Sequence, residues 1–280
     1  MARYTFSGHE SFYCKSLWLK KGYDALKNNI NFSNPEAVAE LGVGKNMVSS
    51  IKFWLKAFGV SNTDAPTHFG DLIFDSQTGY DPYIEDTGTL WLLHYMLVKN
   101  KLASIYNLTF LEFKREKKEF DRIQLQSFIK RKCNVKEQSN VYNENTVRKD
   151  ISVLLHNYVS PTDLKSPEDY SAILIDLGLI SNLGDDKYAF SEISHEQINP
   201  LILLYILNDY KGNDNTISLD IMQEISLILG ISINGLVEIV KTLIDEYTKD
   251  ITYSDNSGIK NIQFLRPIDS DVVLNEYYNR

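Results

Sequence analysis

The chain has 280 residues, 43% hydrophobic and 24% charged, which gives room for one to three domains with true cores and argues against a disordered chain. No apolar run approaches the roughly 18 residues of a membrane span, residues 1–10 lack an apolar signal core, and Cys14 and Cys133 fit no zinc or redox spacing, so a cytoplasmic protein with reduced thiols is expected. The net charge of −8 is lopsided: residues 160–280 carry eight Lys/Arg against 20 Asp/Glu, leaving a mildly basic first half that can approach phosphates and an acidic second half that cannot.

In chain order, Asn34-Pro35-Glu36 opens the first clear helix, with Asn34 as cap and Pro35 in the first position. Residues 37–41 form it, Gly42-Val43-Gly44 breaks it, and residues 45–58 form a longer helix ended by Gly59. Short helix, glycine turn and long helix make a helix-turn-helix. Met47, Ile51, Leu55 and Phe58 recur as a buried stripe. The other face carries Lys45, Ser49, Lys52 and Lys56, flanked by Asn46, which suits DNA phosphates and base edges. A solvated lysine face is the competing reading.

Residues 71–74 and the turn Ser76-Gln77-Thr78-Gly79 read as a β-wing, and residues 87–101 as the apolar core helix of a first domain. Residues 112–132 read as one charged amphipathic helix, either tracking phosphates through Lys114, Arg115, Lys117, Lys118, Arg122, Lys130, Arg131 and Lys132 or simply solvated. A fainter second copy of the pattern has helices at residues 145–155, with Asn145 as cap, and 167–177, followed by a hairpin wing through residue 190. A third copy has helices at residues 200–209, 218–226 and 234–247, and a hairpin at 251–265. Its last helix sets Glu238, Asp245 and Glu246 against Lys241, a face suited to protein rather than DNA. The expected fold is therefore mainly α with small β-wings, an α+β chain of tandem winged helix-turn-helix modules. The modules span residues 1–110, 111–195 and 196–280.

Three places could carry chemistry. Gly42-Val43-Gly44-Lys45 fails as a phosphate loop, because positions 39 and 46 are Ala39 and Asn46 where Gly and Ser or Thr are needed. Ser7-Gly8-His9-Glu10-Ser11-Phe12 offers His9 as a general base or ligand with Glu10 as its partner. The same residues also read as a capping box from Ser7 to Glu10. Asp81, Glu85 and Asp86 could hold Mg²⁺ or Mn²⁺ for phosphodiester cleavage, with His94 nearby in sequence, or could cap the helix that follows.

The blocks Phe6-Ser7-Gly8-His9-Glu10-Ser11-Phe12, Trp18-Leu19-Lys20-Lys21-Gly22, Leu41-Gly42-Val43-Gly44-Lys45-Asn46-Met47-Val48, Asp81-Pro82-Tyr83-Ile84-Glu85-Asp86 and Leu90-Trp91-Leu92-Leu93-His94, in that order, resemble the domain-of-unknown-function 4007 family. The likeness is strongest over residues 4–110. It implies a place in a bacterial DNA phosphorothioation system used in phage defence, beside a cysteine desulfurase, an ATPase and a sulfurtransferase. In the single-strand version of such systems the similar member is regarded as the nickase. The resemblance carries no residue-by-residue catalytic list. The expectation is a DNA-binding protein that nicks one strand with a divalent metal, the alternative a non-catalytic DNA-binding adaptor or regulator.

Overall fold

Gly22 decides how the first helices meet. It lies in α1 (Trp18–Lys27), which packs on α3 (Lys45–Ala57). A Cβ at Gly22 would sit 2.6 Å from Leu55 Cδ1 and 2.7 Å from Ile51 Cγ2, so only glycine permits this approach. Between them runs α2 (Glu36–Leu41), closed by Gly42 at φ 63°. The buried stripe of α3 is Val48, Ile51, Trp54 and Leu55, continued by Phe58. Met47, expected in that stripe, is only half-buried. Trp54 takes the centre.

The structure is a computed structural model describing residues 3–135, 138, 141–161, 171–256 and 259–280. It is mixed α+β: helices with two three-stranded antiparallel sheets. The chain divides into two compact units, Met1–Ser191 and Glu192–Arg280. Residues 1–110 and most of 111–195, read from sequence as separate modules, thus share one unit. No single helix among the described residues is long and apolar enough to cross a membrane.

The first expected wing is a helix. Residues 71–74 belong to α4 (His68–Phe74), capped by Thr67, whose side chain accepts from the Gly70 amide. Phe69, Ile73 and Phe74 are buried at helical spacing. The turn after it is nucleated by Asp75, whose Oδ1 accepts from the amides of Gln77 and Thr78. Those amides hold the Asp75 carboxyl well below the usual carboxylate range. Next comes α5 (Thr87–Asn100), apolar nearly all round and buried as expected.

The single charged helix expected at residues 112–132 is broken. A short α6 (Ser104–Asn107) runs into a π-helical stretch (Leu108–Phe113) and α7 (Lys114–Glu116). Then β1 (Glu119–Asp121) intervenes before α8 (Arg122–Cys133). Asp121 and Gln124 form a capping box that starts a new helix, and Phe120 is buried against Phe113, Tyr188 and Phe190. α9 (Glu144–Tyr158) begins one turn-residue earlier than read, capped by Asn143 rather than Asn145. Of the helix expected at 167–177, residues 167–170 lie outside the described residues. Beyond them only Ile175–Leu177 is helical, a 3-10 turn closed by Gly178. β2 (Ile180–Gly184) and β3 (Lys187–Phe190) form the expected hairpin, turned by Asp185 and Asp186 at φ 49° and 56°. The strands lie in the order β1-β3-β2, with Phe120 opposite Tyr188.

In the second unit, Asn199 caps α10 (Pro200–Lys211), β4 (Thr216–Ser218) follows, and Ser218 caps α11 (Leu219–Leu229). Gly230 at φ 71° breaks the chain, and Ser232 caps α12 (Ile233–Glu246). β5 (Ile251–Asn256), β6 (Ile259–Phe264) and α13 (Ser270–Tyr278) complete it, with sheet order β4-β6-β5. Among the described residues, from α7 to β3 with the 3-10 turn at Ile175–Leu177 set aside, and again from α10 to β6, the chain runs helix, strand, helix, helix, strand, strand, and each sheet sets its third strand in the middle.

Candidate nucleic-acid interface

The loop ahead of α1 is held in an uncommon backbone state. Ser7, Gly8, Glu10 and Ser11 have φ of 77°, 98°, 48° and 65°. Such a cluster persists only where its surroundings over-determine it, and it is a mark of functional segments. At Gly8 a Cβ would meet the Phe53 ring at 2.6 Å.

His9 supplies the over-determination. It is 3% exposed. Its Nδ1 accepts from the Ser11 amide at 3.1 Å, so that nitrogen carries no proton. The proton sits on Nε2, which donates to Asp150 Oδ1 on α9 at 3.0 Å. The second Asp150 oxygen accepts from the Ser7 amide at 2.9 Å. The imidazole stacks on Trp54 and meets Phe53 edge-on. Trp54 Nε1 donates to the Phe12 carbonyl, and the Cys14 amide donates to Asn157 Oδ1. Both His9 nitrogens are thus engaged, and the geometry suits a pin rather than a base open to substrate. Glu10 is exposed. No capping box forms between Ser7 and Glu10: α1 starts only at Trp18, and the Ser7 amide is spent on Asp150.

On α3 the expected DNA-facing residues do share a side. Lys45, Asn46 and Ser49 are exposed, and Lys52 and Lys56 half-exposed. Lys52 reaches Asp64 at 3.3 Å, an exposed pair of small energetic weight.

The three carboxylates do not gather round a common point. Asp81, 6% exposed, spends both oxygens locally. Oδ1 accepts from the Glu85 amide, and Oδ2 from the Asp86 amide and the Thr89 hydroxyl. Asp86 caps α5 through the Gly88 amide, while Glu85 faces solvent. The tight turn drives Ile84, a β-branched residue, to φ 59°. His94 lies in the core, its Nδ1 2.7 Å from the Tyr158 hydroxyl. Among the described residues no group of three or more His, Cys, Asp or Glu side chains could hold a metal. The donor set at Asp81 is therefore a helix cap and does not fit a divalent cation. Asp81→Ala is expected to lower unfolding free energy by about 1–3 kcal/mol by orphaning buried donors. Urea melts should show the same loss with and without EDTA; a loss confined to EDTA-free buffer would restore a metal to this turn.

The charged stretch from Glu112 to Cys133 is partly self-neutralised. Arg122 pairs with Asp186, Arg131 with Glu116 and Lys132 with Glu112. α9 presents a different face. Asn145, Arg148, Lys149 and His156 are exposed, with Ser152 half-buried between them. Arg148 and Lys149 have no carboxylate partner among the described residues; Arg148 contacts Asn145. His156 Nδ1 donates to the Ser152 carbonyl, fixing the ring. Tyr13 lies parallel to that ring, 4° between planes and 5.7 Å between centroids. A cleft of about 240 Å³ is lined by Ser11, Tyr13, Lys149, Ser152, Val153 and His156. Sequence reading missed this face, although Arg148, Lys149, Ser152 and His156 already recur at one-sided helical spacing.

The profile of a family described as "Protein of unknown function (DUF4007)" matches residues 6–278. Two solved structures resemble the whole fold. One is described as "Magnesium ion-bound SspB crystal structure", with TM-score 0.86, and one as "SspB crystal structure", with TM-score 0.85. Each is 25% identical in sequence and is matched over 98% of this chain and 88% of its own. None of the curated proteins compared matches the chain.

Proposed function

The chain belongs to the DUF4007 family, and on that premise we propose that it is a DNA-binding protein of a bacterial DNA phosphorothioation system that nicks one strand of the duplex. The observation that carries this reading is the near-full-length likeness to the SspB structures. The repeated order of helix, strand, helix, helix, strand, strand supports winged-helix modules, in which the last helix before the hairpin is the one that enters a groove. That helix is α9 in the first unit and α12 in the second. The lysine face of α3 supplies a further phosphate-binding surface. The acidic α12, exposing Glu238, Asp245 and Glu246, suits docking of partner proteins of the system: a cysteine desulfurase, a sulfurtransferase or an ATPase.

Nicking with Mg²⁺ or Mn²⁺ needs accessible carboxylates, and of Glu10, Asp81, Glu85 and Asp86 the exposed ones are Glu10 and Glu85. The saturated Asp81 favours a second reading, a non-catalytic adaptor that delivers partners to DNA. Supercoiled plasmid incubated with the protein in Mg²⁺, Mn²⁺ or EDTA separates the two. Metal-dependent conversion to open circle, with DNA binding persisting in EDTA, is the expected result, and its loss in Glu10→Gln or in Glu85→Gln, made singly, would identify the acid it uses. Binding without conversion establishes the adaptor. Binding itself should weaken linearly on a log–log salt scale, and Lys45→Ala/Lys52→Ala should shallow that slope by about two.

A further inference from the structure

We propose that the cleft between the Ser11–Tyr13 segment and α9 binds a single unstacked nucleotide of a DNA strand, its base on the Tyr13–His156 ring pair and its phosphate on Lys149 and Arg148. The inference rests on the DNA-binding reading above and goes beyond it by naming the strand state and the residues.

Four observations meet here. The two rings are parallel and fixed, one by the Ser152 carbonyl and the other by a loop pinned through His9 and Asp150. A flat, immobile aromatic surface is what base stacking uses, and every base has a face to offer it. The cleft, at about 240 Å³, is smaller than the roughly 300–1,000 Å³ of a drug-sized site and suits one base rather than a longer ligand. Lys149, which lines the cleft, and Arg148, beside it on α9, lack carboxylate partners among the described residues, unlike Arg122, Arg131 and Lys132. Finally, α12 holds the same place in the second unit's order but exposes Glu238, Asp245 and Glu246. The exposed Arg148 and Lys149 of α9, on a helix that also exposes Glu144, are thus not a property of the repeated fold.

The tautomer of His156 adds a polar handle. With Nδ1 donating to a carbonyl, the neutral ring leaves Nε2 as an acceptor in the ring plane, open to an N–H or O–H beside the stack rather than to the stacked base itself. A duplex base is stacked and paired, so it reaches such a platform only after extrusion. A single strand offers it directly.

The test is fluorescence anisotropy of the full chain with a labelled 20-nucleotide single strand and the matching duplex, plus quenching of 2-aminopurine within the strand. Tyr13→Leu and His156→Ala are expected to weaken single-strand binding by roughly five- to hundredfold and abolish the quenching, as loss of one stacking platform does. Tyr13→Phe, which keeps the ring, is expected to stay within about twofold of the parent. Lys149→Ala should weaken both DNAs alike and reduce the salt slope by about one, whereas Lys241→Ala on α12 should change nothing. Folded Tyr13→Leu and His156→Ala proteins that bind and quench like the parent overturn the proposal. So do equal losses on duplex and single strand, which would reduce the cleft to a phosphate contact. A parent protein that binds neither DNA overturns the DNA-binding reading itself, and this inference with it.

Discussion

Replacing Trp54 with alanine is expected to remove about 3–5 kcal/mol of stability, the range for truncating a fully buried large aromatic. Trp54 has no exposed surface and touches Phe53, Phe58, Tyr106 and His9 through its ring. Domains are typically stable by about 5–15 kcal/mol, so this one change consumes much of the margin. Its second effect is local. The indole N–H is the donor to the Phe12 carbonyl, and the indole face supports the His9 ring. Trp54→Phe separates the two, because it keeps most of the packing and deletes the donor. Urea titrations of both variants give the measurement, and a loss under about 1.5 kcal/mol for alanine would mean the site collapses around the gap more freely than the packing indicates.

Asp150→Ala is the other large change. It removes the acceptor of the buried His9 Nε2–H and of the part-buried Ser7 amide. Leaving a buried neutral donor without an acceptor costs about 1–3 kcal/mol. Asp150→Asn should fall between, since one amide oxygen cannot serve both donors as well as a carboxylate. The two sites share His9, so Trp54→Ala/Asp150→Ala should cost less than the two single losses added. An additive double mutant would show that the loop is not held as one body. His9 itself is separable from catalysis by His9→Gln, whose amide can both donate to Asp150 and accept from Ser11. A folded His9→Gln protein that retains nicking places His9 among the positioning residues. One that is stable and inactive returns it to the chemistry.

The parts of the fold legible in the sequence are those written in local signals. Asn199, Ser218, Gly230 and the polar turn after residue 253 mark the second unit almost element by element, because caps and breakers act on their own neighbours. The α2–Gly42–α3 turn was legible for the same reason. What failed was local signal with two readings. Residues 71–74 are apolar enough for a strand, and only burial at Phe69, Ile73 and Phe74 together declares a helix. The charged stretch before Cys133 looked continuous until Phe120 was seen to be buried among other rings. The site was legible only in part. The SGHESF block stood out as unusual, but the partner that explains it, Asp150, lies 141 residues away from His9. The three acids near Asp81 could not be told from a metal cage, since the donors that saturate Asp81 are backbone amides, present at every residue and invisible in composition. The stacking of Tyr13 on His156 spans a comparable distance in sequence.

That separation has a consequence for how the molecule is made. The segment bearing Ser7, His9 and Cys14 leaves the ribosome before its anchors, Asp150 and Asn157, which follow by 141 to 143 residues. At about 5–20 residues per second the strained loop waits on the order of ten seconds before anything can hold it. During that interval α1 and α3 can pair, but the cleft beside α9 does not exist. A nascent or truncated chain that stops short of α9 therefore emerges with its helices and without its grip, so closing the loop is a late, long-range step of folding, and competence at this surface belongs only to a chain whose first unit has been finished.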